Sequence, residues 1–98
     1  MAQEQEKLAR LHAIVEGRVQ GVNFRYYTVR AAQRLGVTGW VANRYDGRVE
    51  TIIEGPDEIL KEMLAFLHKG SPSAIVTKVS VQWGAATGEF TEFKVRYL

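Results

Sequence analysis

Within residues 8–16, Leu11, Ala13 and Val15 alternate with His12, Ile14 and Glu16, the period-two pattern of a strand. After a short glycine-punctuated stretch, Phe24, Tyr27, Ala31 and Leu35 recur at helical spacing, and Gly36 follows as a stop, predicting a helix over 24–35. The β-rich runs VTGWVAN (37–43) and GRVETIIEG (47–55) flank a turn in which Asp46-Gly47 supplies the residue that tolerates positive φ. Asn43 thereby ends one strand of a hairpin. Over 55–70, Ile59, Met63, Phe66 and Leu67 form the apolar stripe of a second helix. Pro56 stands at its start, Asp57 and Glu58 in its first turn and Lys69 near its end, so every charge suits the helix dipole. AIVTKVSVQW then places Val79, Val81 and Trp83 on one face, GAATGE reads as a loop, and FTEFKVRY alternates Phe93, Val95 and Tyr97 as a closing strand.

The order is βαββαβ with a short extra strand division near the end. It predicts an α+β sandwich, two helices on one face of a mainly antiparallel sheet. Ninety-eight residues at 46% apolar composition fit one domain spanning 1–98, with residues 1–7 expected to be flexible and no linker, repeat or low-complexity segment inside it.

Composition narrows the chemistry. There is no cysteine, which excludes disulfide scaffolds, thiolate zinc sites and cysteine-nucleophile phosphatase mechanisms. The opening MAQEQEKLAR has no apolar core of a signal segment, and no run approaches the roughly 18 apolar residues of a membrane span, so a cytoplasmic protein without membrane partners is expected. The formal charge of +2 is unevenly spread: residues 17–48 hold six arginines against the single acid Asp46, a net +5, and the remainder carries −3. An anionic partner and a solvated basic face both fit that bias.

The two helices differ at their starts. The first opens with Arg25 and has no acid in its opening turns, a placement that costs about 0.3–1 kcal/mol at an exposed site. A bound anion would offset it, because the unsatisfied amides of a helix start, continued through a glycine-rich turn, form a nest of donors for phosphate or carboxylate. Gly17 and Gly21 would let the amides of 18–23 converge, and Arg25 would add a planar two-pronged donor. From the local pattern alone, glycines that merely turn the chain and a solvated Arg25 fit as well. No Lys-Ser/Thr pair follows the last glycine, so this is not a nucleotide-binding P-loop.

GRVQGVNFR (17–25), together with GWVANRYDGRVE (39–50) and the later Gly55, strongly resembles the acylphosphatases, and the similarity extends from the first strand to FKVRY. The resemblance implies a ferredoxin-like fold and hydrolysis of the mixed anhydride between a carboxylate and phosphate, with no metal and no cofactor. It implies that the loop Gly17, Arg18, Val19, Gln20, Gly21, Val22 and Asn23 cradles the phosphoryl group. By the same likeness Arg25 clamps that group and Asn43 orients the attacking water. Asn23 departs from the pattern, since many relatives carry glycine there, and it puts the amide geometry of the loop in question. Small free-standing members are usually monomers, so a monomer acting on a small acyl phosphate, with inorganic phosphate as product, is expected.

Phosphoryl transfer through a loose, in-line transition state needs mainly positioning and charge stabilisation, which an arginine, backbone amides and a carboxamide can supply. His12, on a strand, and His68, near a helix end, are not obvious general bases, and the substrate's own phosphate oxygen is expected to take the proton. Trp40, Tyr45, Trp83 and Tyr97 are expected in the core or at the site mouth. RNA-recognition modules share the βαββαβ order, but the third strand here has no aromatic residue and the first offers only His12, so no nucleic-acid partner is expected. A silent accessory domain is the remaining alternative, and the presence of both Arg25 and Asn43 argues against it.

Overall fold

A computed structural model of the protein describes residues 7–98. The flexibility expected of residues 1–6 lies outside the described residues, while the Lys7 carbonyl accepts the N–H of Asp57 at 2.7 Å. The elements are β1 (Leu8–Arg18), α1 (Phe24–Leu35), β2 (Thr38–Asn43), β3 (Val49–Pro56), α2 (Asp57–Lys69), β4 (Ile75–Ala85) and β5 (Phe93–Val95). They build one five-stranded sheet in the order β4-β1-β3-β2-β5. Three of its pairings are antiparallel, and only β5 runs parallel to its neighbour β2. This is the ferredoxin-like α+β arrangement, with a short parallel strand added at one edge.

Register fixes which side chains meet the helices. Leu11 lies opposite Ile53, Ala13 opposite Thr51 and Val15 opposite Val49, and Val41 of β2 also faces Thr51, so these residues share one face. All are fully buried. Leu60, Met63 and Leu67 of α2, with Phe24, Ala31 and Ala32 of α1, complete the core. Burying each large apolar side chain contributes about 1.5–3 kcal/mol. The stripe of α2 is centred on Leu60, Met63 and Leu67. Ile59 and Phe66, expected at its centre, flank it half-buried, and Phe66 meets Phe24 of α1 at a centroid separation of 6.2 Å.

Three local features depart from the sequence pattern. First, β1 continues past Glu16: its register against β4 shifts between Glu16 and Gly17, and pairing resumes with Gly17 opposite Val76 and Arg18 opposite Ile75. Second, β4 runs on to Ala85, because Gly84 and Ala85 still pair with Arg10 and Ala9, and the closing strand contracts to Phe93–Val95. Third, Trp83 and Val81 stand on the helix-covered face opposite Leu11 and Ala13, yet Trp83 remains 44% exposed. β4 is an edge strand, so these side chains have sheet on one side only. Tyr45 is likewise not a core residue, standing fully exposed at the hairpin tip.

Two features make testable demands on stability. Glu54 is buried, and its carboxylate accepts from Arg10 Nη1, the Thr87 N–H and hydroxyl, and the Gly88 N–H, all at 2.9–3.0 Å. Burial alone would push its pKa up, but the Thr87 and Gly88 donors with Arg10 outweigh it and hold the carboxyl below its ordinary range. Its contribution to stability is therefore complete above the unfolded-state pKa and lost as pH falls through the lowered folded value. Glu54→Ala is expected to cost about 1–3 kcal/mol in urea denaturation at pH 7. In acid the deficit relative to wild type should narrow, because wild type loses the same contribution. Asn23 caps α1 at φ 64°, ψ 25°, in the left-handed region. Asparagine is among the few non-glycine residues that visit this region readily. Asn23→Gly should fold normally, whereas β-branched Asn23→Val should cost about 1–2 kcal/mol by the same measurement.

Candidate active site

The chain leaves β1 at Arg18 and reaches α1 at Phe24 through five residues whose course is set from both sides. Val19 and Val22 are buried and draw the loop onto the core. Gly21 and Asn23 adopt positive φ, at 74° and 64°, and turn the backbone back on itself. Among the described residues, no backbone amide of 19–26 donates to a protein acceptor, and the first amide of the helix that does is Tyr27, to the Asn23 carbonyl at 3.1 Å. The first turn of α1 holds no acid. A row of unengaged N–H groups at the positive end of a helix is therefore uncompensated by any carboxylate of its own.

Arg25 projects from this helix start. It is half-buried, and its guanidinium carbon lies 5.6 Å from the centroid of the Tyr97 ring. Such a cation–π contact holds the group without neutralising it. Among the described residues Arg25 has no carboxylate partner, whereas Arg44 pairs with Asp46 and Glu50, and Arg48 with Asp46 and Glu16. The Arg48 side chain and backbone N–H, joined by Arg44, hold the Asp46 carboxyl well below the usual carboxylate range. The hairpin arginines thus close their own turn, and Arg25 keeps its charge for the cavity.

Asn43 ends β2 on the helix-covered face, in register with Val49. Its Oδ1 is the one buried side-chain oxygen or nitrogen among the described residues that no donor meets. An acceptor left so costs about 1–3 kcal/mol, which an added donor would offset.

Arg25 and Asn43 line the same cavity of about 410 Å³, together with Val19, Gly21 and Asn23 of the loop. The other loop residues lie outside its lining. Gly17 and Arg18 belong to β1, the Val22 carbonyl accepts the buried Ser71 hydroxyl at 2.6 Å, and Gln20 turns its carboxamide toward the hairpin. Sequence reasoning missed Phe24, Tyr26, Val29 and Val95 as wall residues. Val95 was recoverable in principle, since it shares its strand face with Phe93 and Tyr97. Of the four aromatics expected in the core or at the mouth, only Tyr97 lines this cavity. Trp40 instead lies under the Arg96 guanidinium at 5.0 Å.

The lining offers no carboxylate, imidazole or thiolate that could ligate a divalent ion, while Arg25 and the loop amides suit an anion. His12, the nearest histidine in sequence, sits on the opposite face of β1 and contacts Glu50 at 2.7 Å.

The family model described as Acylphosphatase matches residues 11–95. The acylphosphatase of Trichormus variabilis is 50% identical over 86% of this chain and 83% of its own length, and that of Methylococcus capsulatus is 50% identical over 90% and 96%. The crystal structure of acylphosphatase from Bacillus subtilis superposes with a TM-score of 0.88 at 39% identity, covering 91% of this chain and 99% of that one. A cavity lined by Arg25 and Asn43, on a chain this similar to these proteins along nearly its whole length, leaves one assignment: the chain belongs to the acylphosphatases, hydrolases of acyl phosphates.

Proposed function

We propose that the cavity performs this hydrolysis without metal or cofactor, by a loop-and-arginine cradle for the phosphoryl group and a water held by Asn43. The observation that carries the reading is the shared cavity: it is lined by loop residues whose amides are unengaged, by Arg25, which has no carboxylate partner among the described residues, and by Asn43, whose Oδ1 meets no donor. Residues Gly17 to Asn23 form the cradle, with Gly17 and Arg18 as its strand-anchored base. Arg25 and the amides take the three phosphoryl oxygens, each hydrogen bond to the charged group contributing about 1.5–3 kcal/mol. These donors stay in contact as charge redistributes over the oxygens in the transition state.

The Asn43 oxygen accepts one proton of a water molecule and aims its lone pair at phosphorus. The water oxygen bonds to phosphorus, the bond from phosphorus to the acyl oxygen breaks, and the electron pair leaves with the carboxylate. The water proton passes to a phosphoryl oxygen. A carboxylate is a good leaving group, its conjugate acid having a pKa near 4, so departure requires no general acid from the protein. His12 on the far sheet face and the absence of carboxylates from the lining are consistent with that economy of groups.

Hydrolysis of benzoyl phosphate tests the reading. Arg25→Ala should abolish turnover and competitive inhibition by inorganic phosphate together, and Arg25→Lys should recover little, because an ammonium lacks the planar fork. Asn43→Ala should lose at least about 100-fold in kcat while inorganic phosphate still inhibits. Chelator should change nothing. Near-normal turnover by Asn43→Ala would refute the water-positioning role, and a requirement for Mg²⁺ would refute the metal-free route.

A further inference from the structure

The cradle and Asn43 belong to different elements, and the attacking water can be aimed only if the distance between them is fixed. Side-chain hydrogen bonds hold the loop at two points. Ser71 bonds the Val22 carbonyl and ties the loop to the segment after α2. Gln20 reaches in the other direction: its Nε2 donates to the Arg44 carbonyl at 2.8 Å and to the Arg48 carbonyl at 2.9 Å. One nitrogen thereby commits both its protons across the neck of the β2–β3 hairpin. Both partners are carbonyls, so the carboxamide can present only its nitrogen to them. The same two carbonyls close the hairpin turn, accepting Gly47 N–H at 3.2 Å and Arg44 N–H at 2.8 Å. Arg44 is the residue bonded to Asn43.

We propose that the Gln20 side chain is a positioning residue that sets the separation between the phosphate loop and Asn43, and so acts on turnover rather than on phosphate affinity. This rests on the proposed role of Asn43. Loss of the strut leaves the loop amides, Arg25 and the Ser71 anchor in place, so the anion site survives. It frees the hairpin neck to move relative to the loop, and a displacement of about 1 Å between reacting groups can cost about 100-fold in rate.

Two variants and one double variant test it on the intact chain, with benzoyl phosphate as substrate and inorganic phosphate as inhibitor. Gln20→Ala removes the strut, and Gln20→Glu keeps its volume but turns an acceptor toward two acceptors. Each is expected to lower kcat by about 10- to 100-fold while the inhibition constant for phosphate stays within about twofold. In an Asn43→Ala background, Gln20→Ala should cost less than about threefold more, because a strut has nothing left to position. A purely structural role would raise the phosphate inhibition constant in step with the fall in kcat, and would cost the same in both backgrounds. Either result overturns the proposal. Inactive Asn43→Ala beside normal Gln20→Ala would sink this inference alone, whereas normal turnover by Asn43→Ala would sink the proposed function as well.

Discussion

The backbone at Gly17 comes so close to β4 that a Cβ there would stand 2.0 Å from the Ile75 carbonyl oxygen, at a φ of 129°. No side chain fits, and the approach allows β1 to slip register against β4 and still keep its last two pairs. The bulge redirects the strand end, and six residues later the chain has become a helix. Val19 and Val22 can then be buried while Gly21 and Asn23 take positive φ. If the two backbones were held apart at Gly17, the loop would have no fixed base, and the amides, Arg25 and Gln20 would share no common frame.

A second constraint is electrostatic. The basic bias of residues 17–48 divides by location. Arg44 and Arg48 are consumed by Asp46, Glu50 and Glu16 around the hairpin, which makes that turn a closed ionic unit. Surface pairs of this kind contribute little to stability, about 0–1 kcal/mol each. They also leave the hairpin carboxylates occupied by cations of the same turn. On the far sheet face, Arg10 is shared between Glu54 and Glu89 and Arg96 lies on Trp40. Arg25 alone of the cavity residues brings a full charge, and its neighbour is an aromatic ring.

Much of this was legible in the chain. The alternation at Leu11, Ala13 and Val15 and the helical spacing from Phe24 to Leu35 reflect a one-sided core, and such periodicity survives in sequence because burial enforces it. That Arg25 and Asn43 belong together was suggested by two contiguous blocks of sequence, and the two residues do line one cavity. The bonding of the Gln20 side chain to the hairpin was not legible, since its acceptors are backbone carbonyls 24 and 28 residues away and carry no residue signature. Neither was the exposure of Trp83, which depends on β4 being an edge, a property of topology and not of local pattern. Asn23 looked like a departure until its φ showed that asparagine and glycine answer the same steric demand.

The wall opposite the loop has its own history. Tyr97, which faces the Arg25 guanidinium, follows β5, and β5 is held beside β2 by Gly39 N–H to the Glu92 carbonyl and Arg96 N–H to the Val41 carbonyl. Tyr45 adds a tether from the hairpin tip, its hydroxyl meeting the Leu98 carbonyl at 3.1 Å. The loop and Asn43 thus receive the ring beside the guanidinium from a segment more than 50 residues further along the chain than Asn43. The far wall of the cavity is therefore set by backbone pairing at the parallel edge of the sheet, and loosening β5 would carry the Tyr97 ring away from Arg25.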